Sequence, residues 1–176
     1  MLYKIKNMGC DEKILLSLYY SLFQSHLSFG LVAWGSSTYA KNLFLIQKRA
    51  IRAISGLSYN DSTVDSFKNL KILTLENLYH LKLASLMWDF DHGGLPNHLK
   101  NLFRYSSEIH GYGTRSSSNA NLALNTNCKT KIGSLMLKFI GPKVLNSLKN
   151  LEFYNIIHTK KSFVSKYKNY LLDLQF

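Results

Sequence analysis

Apolar side chains recur along this chain at helical spacing, and glycine, proline or small polar residues close each stretch. The spacing predicts a long helix over 11–29, with Asp11 placed to cap its start. Gly30 is positioned to bend the chain and Gly35-Ser36-Ser37 to end the segment. A second helix is predicted from about Thr38 to Ser55. At 100° per residue, Leu43, Ile46, Gln47, Ala50 and Ile54 fall on one face, and Lys41, Lys48 and Arg52 fall opposite, within roughly 40° of one another. Arg49 sits on the flank, and Gly56 suits the left-handed residue that ends a helix.

Asp61-Ser62 reads as an N-cap before a short helix in "STVDSFKNL". The most regular segment is "KILTLENLYHLKLASLMWDFDHGGLP". Leu75, Leu78, Tyr79, Leu83, Leu86 and Phe90 form its apolar stripe, Thr74 with Asn77 makes a partial capping box, and Gly93-Gly94 and Pro96 terminate it. "PNHLKNLF" adds a turn or two, with proline at the first helical position. From Tyr105 to Lys131 the chain is rich in Ser, Asn, Gly and Thr and has no period, which predicts a long loop. A strand or helical turn broken at Gly141-Pro142 follows. The last helix, in "KKSFVSKYKNYLLDLQF", carries Phe163, Tyr167, Tyr170 and Leu171 on one side. The fold class expected is all-α: a helical body over 1–104, a polar loop or linker over 105–132, and a basic C-terminal helical segment over 133–176.

Composition sharpens this picture at three points. The net charge of +12 points to a polyanionic partner, nucleic acid first and an anionic membrane surface second. Residues 1–99 hold 10 Lys/Arg against 7 Asp/Glu, and residues 100–176 hold 12 against 3, so the excess lies towards the C-terminus. Cys10 and Cys128 are far apart and form no zinc-spaced set with the histidines, so a reducing, intracellular setting, cytoplasm or nucleus, is expected. Ile14 to Ala40 contains no Asp, Glu, Lys or Arg and is long enough to cross a bilayer. The polar seam of Ser17, Ser21, Gln24, Ser25 and Ser28, with His26 and Gly30, argues instead for a helix buried in protein.

Candidate chemistry is sparse. Asp89-Phe90-Asp91 is the one Asp-x-Asp pair, at a helix end beside two glycines, where polar residues are ordinary. No nucleophile elbow, phosphate-binding glycine loop or His-Glu-x-x-His motif occurs, and neither a metal nor another cofactor is expected. "HGYGTR" is the sharpest loop motif. Tyr112 and Arg115 suit base stacking and phosphate pairing, and equally suit pinning the loop and pairing with a carboxylate.

Six segments occur in order: "LLSLYYSLFQSHLSFGLVAWGSS", "LIQKRAIRAISG", "LKILTLENLYHLKLASLMWDF", "GLPNHLKNLF", "HGYGTRSSSN" and "GPKVLNSL". Together the series resembles the region that follows the polymerase domain in reverse transcriptases of non-LTR (LINE-like) retrotransposons, over about Leu2 to Leu172. Leu145 stands where that family often has tryptophan, and no proline follows Leu148. The resemblance implies a mobile-element origin and a C-terminal piece whose partners are RNA or DNA and an upstream polymerase domain. It also implies no catalysis by the piece itself, since the family's Tyr-x-Asp-Asp catalytic tetrapeptide is absent from this sequence. The candidate nucleic-acid contacts are Lys48, Arg49, Arg52, Tyr112, Arg115, Lys160, Lys161, Lys166 and Lys168. The alternatives are a structural remnant that binds nothing and a membrane-associated helical protein.

Overall fold

The computed structural model describes residues 2–109, 112–114, 121–124, 128–130 and 133–175. Its regular structure is helical. Among the described residues the one β-type pairing outside the helices is an isolated antiparallel bridge between Tyr105 and Leu122. The chain groups into two compact units, residues 1–79 with 168–176, and residues 80–167.

The first unit opens with α1 (Leu2–Asn7) and α2 (Glu12–Leu18), where the Asp11 carboxylate accepts the Glu12 N–H at 2.8 Å. The helix expected over 11–29 runs without a break from Glu12 to Ser28, but its middle is wound differently: between α2 and α3 (Ser25–Ser28) lies a π-helical segment, Tyr19–Gln24. The serine seam supplies the physical reason. The hydroxyls of Ser21, Ser25 and Ser28 donate to carbonyls of the preceding turn, at Leu18, Ser21 and Ser25, and such back-bonding bends and loosens the helical ladder. Gly30 is left-handed, and α4 (Leu31–Trp34) follows. No helix among the described residues is long and apolar enough to cross a membrane.

α5 (Ala40–Ser55) starts two residues later than expected and is the backbone of this unit. Its buried residues are Gln47, Ala50, Ile51, Ala53 and Ile54. Ile51 is 0% exposed and Ile46 is 45% exposed, so the buried face is rotated away from Ile46, which the sequence pattern places inside. Leu15, Tyr19, Ile51, Ile54, Phe67 and Ile72 share one core. Gly56 closes α5 at φ 72°, a conformation that costs a side chain with a Cβ but not glycine, and Lys6 Nζ donates to the Ile54 carbonyl at 3.0 Å.

Gln47 is the polar centre of this core. Its Nε2 donates to Tyr19 Oη at 3.0 Å and to the Leu73 carbonyl at 2.9 Å, and its Oε1 accepts the Leu75 N–H at 2.8 Å. One amide thereby ties α5 to the π segment and to the start of α7 (Leu75–Asp91). α6 (Val64–Asn69) lies between α5 and α7 in the chain. Of the Asp61-Ser62 pair, Ser62 Oγ accepts the N–H of Val64, the first residue of α6, at 3.4 Å, while Asp61 Oδ2 accepts the Ser58 N–H at 2.7 Å and holds the preceding turn. Thr74 Oγ1 accepts the Asn77 N–H at 3.4 Å as expected, but Asn77 does not complete the box. Its amide donates instead to the Leu171 carbonyl and to Gln175.

In the second unit, α7 is buried on several sides. Leu81, Leu83, Ala84, Met87, Trp88 and Phe90 are all inside, a wider set than one amphipathic stripe provides, while Leu86 is only half-buried. After α8 (Asn97–Lys100) and α9 (Ser106–Ile109), Leu122 is buried and clamped by Asn146, whose Oδ1 accepts its N–H at 2.9 Å and whose Nδ2 donates to its carbonyl at 3.0 Å. The polar stretch expected to be a loop is therefore anchored at both Tyr105 and Leu122.

The break expected at Gly141-Pro142 is absent. α10 (Leu137–Lys149) runs through both residues, and both are buried. Proline in a helix interior forfeits one hydrogen bond and costs about 3 kcal/mol, which burial of Pro142, Leu145 and Leu148 offsets. Gly141 is required by close approach: a Cβ there would lie 2.7 Å from Phe103 Cε1 and 3.0 Å from Met87 Sδ. The final helix, α11 (Lys160–Leu174), buries Phe163, Tyr167 and Leu171 as its pattern predicts, and Phe163 stacks on Trp88 with ring centroids 4.4 Å apart.

Candidate nucleic-acid interface

Lys41, Lys48 and Arg52 face outward along α5 because the opposite face is fixed by Gln47, Ala50, Ile51 and Ile54. Two of the three have partners within the chain. Lys48 Nζ lies 4.6 Å from the Phe44 ring centroid. The Arg52 guanidinium donates through Nε and Nη2 to the Asp61 carbonyl, at 3.2 and 3.1 Å, and sits 5.9 Å from the Tyr59 ring centroid. Those interactions fix the two cations on the surface without neutralising them, since neither partner is a carboxylate.

Arg49 is set apart. It lies about 80° round the helix from that row and lines a largely apolar groove of about 380 Å³ with Leu2, Tyr3, Leu22, Phe23 and Ile46. The exposure of Ile46 is explained by this groove.

The other residues selected from the sequence stand on other elements and not on this row. Lys160 is spent on an ion pair with Asp89. Lys161 and Lys168 stand two turns apart on one line of α11, and Lys166 lies about 150° round from them. Tyr112 is 82% exposed and is not packed as a core anchor. Arg115 lies outside the described residues.

Asp89 and Asp91 serve the architecture. Asp91 accepts from Tyr105 Oη at 3.1 Å, Tyr154 Oη at 3.0 Å and Lys149 Nζ at 3.1 Å. Among the described residues no cluster of three His, Cys, Asp or Glu is placed to hold a metal ion. Burial first, then the Asp91 charge and its hydrogen bond, push the Tyr105 hydroxyl up to about 12 and raise that of Tyr154 further. Burial likewise pushes Tyr19 up to about 12, against the opposing hydrogen bond from Gln47.

These shifts carry a pH prediction. Unfolded tyrosines titrate near pH 10, so between about 10 and 12 the folded chain holds more protons than the unfolded one. Stability is fully present below about pH 10 and falls as pH rises towards 12. Thermal unfolding in stepped alkaline buffers is expected to show that fall, reduced in Tyr19→Phe. An unchanged melting temperature across the range would contradict the burial of these hydroxyls.

The residues that the sequence pattern does not single out are aromatic. Tyr59, at the turn pinned by Arg52, is 72% exposed, and Tyr39, just before α5, is 75% exposed. Tyr59 falls in no periodic stretch, so no periodic signal marks it, whereas Tyr39 lies at the start of the expected helix about 160° round from Lys41, on the side of Leu43, Ile46 and Ala50. Comparison with protein-family models, with curated proteins and with solved structures gives no match for this chain.

Proposed function

We propose that this chain is a non-catalytic, nucleic-acid-associated helical piece of the kind that follows the polymerase domain in non-LTR retrotransposon reverse transcriptases. Its role in this reading is to hold RNA or DNA by the phosphate backbone beside that upstream domain. The origin rests on the six ordered segments of the sequence. The binding role rests chiefly on one observation: Lys41, Lys48 and Arg52 form an outward row on a helix whose opposite face is locked into a core, in a chain of net charge +12. Phosphate pairing of this type is sequence-tolerant and releases counterions, so affinity should fall steeply as salt rises. The test is binding of labelled RNA and DNA strands and duplexes by the whole chain over a salt series. Affinity that is weak at low salt, or insensitive to salt, would count against the proposal.

A structural-remnant reading has one observation in its favour. Arg52 holds the 58–61 turn through the Asp61 carbonyl, a task sufficient to explain an arginine there. The same salt series separates the two readings. The membrane-associated alternative is not favoured, because no helix among the described residues is long and apolar enough to cross a bilayer.

A further inference from the structure

The 58–61 turn is built more firmly than a surface connection needs. The Asp61 N–H donates to the Ser58 carbonyl at 3.2 Å, and the Asp61 carboxylate takes the Ser58 N–H. Arg52 then binds the Asp61 carbonyl twice and draws the turn against the outer end of α5. The residue displayed by this arrangement is Tyr59, whose ring packs into no core and lies beside a guanidinium. A large aromatic ring buries little surface in that position and gains there only a modest contact with the guanidinium, whereas an exposed ring next to a fixed cation matches what an unpaired base and its phosphate require. From Tyr59 the row of Arg52, Lys48 and Lys41 runs along about 16 Å of helix, room for several nucleotides.

We infer that the α5 surface is a single-strand site, in which an unstacked base lies on Tyr59 while Lys41, Lys48 and Arg52 follow the backbone. This deepens the proposed function and rests on its premise that α5 binds nucleic acid. A duplex keeps its bases stacked inside and offers α5 only phosphates, so Tyr59 distinguishes strand from duplex. Preorganisation of the turn lowers the ordering cost of binding.

The experiment measures affinity of the whole chain for a labelled oligothymidylate and for a duplex of the same length, at matched salt, with Tyr59→Ala and Tyr59→Phe alongside the unchanged protein. Tyr59→Ala is expected to weaken strand binding by roughly 5- to 150-fold, the range for one stacked base, and to leave duplex binding unaltered. Tyr59→Phe, which keeps the ring face, should bind the strand as the unchanged protein does. If the unchanged protein binds both forms and Tyr59→Ala leaves strand affinity intact or weakens both forms alike, the single-strand site is overturned while backbone binding stands. If the unchanged protein binds neither form, both proposals fall.

Discussion

Gln47→Leu is expected to cost about 3–5 kcal/mol of stability, among the largest effects of any single conservative-volume change in this chain. Leucine fills nearly the same space, so no large cavity is involved. The cost comes from what is left behind: the Tyr19 hydroxyl, the Leu73 carbonyl and the Leu75 N–H are each deprived of the partner they have in a fully buried site. An unpaired buried polar group costs about 1–3 kcal/mol. Removing one orphan should return part of the loss, so Gln47→Leu with Tyr19→Phe is expected to be about 1 kcal/mol more stable than Gln47→Leu alone. Urea unfolding of the two variants checks both figures. A loss under about 1 kcal/mol for Gln47→Leu would mean that the amide is not the tie described.

Asp91→Ala is the second, at about 3 kcal/mol. Asp91 and Lys149 are both largely buried, with side chains 17% and 15% exposed, so removing the carboxylate takes the counter-charge from a largely buried ammonium and the acceptor from two tyrosine hydroxyls. Asp91→Asn keeps an acceptor for the hydroxyls and should cost less than half as much. A second readout isolates the electrostatics. In Asp91→Ala the Tyr105 hydroxyl should titrate closer to pH 10, because the charge and hydrogen bond that raise it are gone while burial remains. Tyrosinate absorbance during alkaline titration would show this. Equal stability of the Ala and Asn variants would contradict the role given to the carboxylate.

Much of the helical framework is legible in the sequence because it depends on local spacing. α5, α7 and α11 appear near their expected bounds, and the Phe163, Tyr167, Leu171 stripe is buried as its period implies. The differences share a cause, in that they turn on packing between residues remote in sequence. Ile51 is buried against Leu15, Tyr19, Phe67 and Ile72, while Ile46 is left to line the groove. Pro142 sits inside a helix because its ring and Gly141 are buried, which outweighs the local signal to stop. Leu122 is anchored from a polar stretch by Asn146, 24 residues away. At the candidate interface, the row of Lys48 and Arg52 with Lys41 is visible on a helical wheel, whereas Tyr59 is not. Its significance comes from a turn held by Arg52, which no periodicity encodes.

The most direct test of α5 as the binding surface is the salt dependence of strand binding in a variant with Lys41, Lys48 and Arg52 all changed to Gln. Glutamine keeps helix propensity and the buried face is untouched, so far-ultraviolet circular dichroism should be little changed. On a single strand, each cation–phosphate pairing removed lowers the slope of log affinity against log salt by about 0.7, so the slope should become shallower by about 2. The control changes Lys161, Lys166 and Lys168 to Gln on α11, where the charges do not share one line. A shallower slope is expected for the α5 variant and a smaller change for the α11 variant. An unaltered slope in the α5 variant, with the salt dependence abolished in the α11 variant, would contradict the assignment and leave the α5 row as no more than the hydrated side of a core helix.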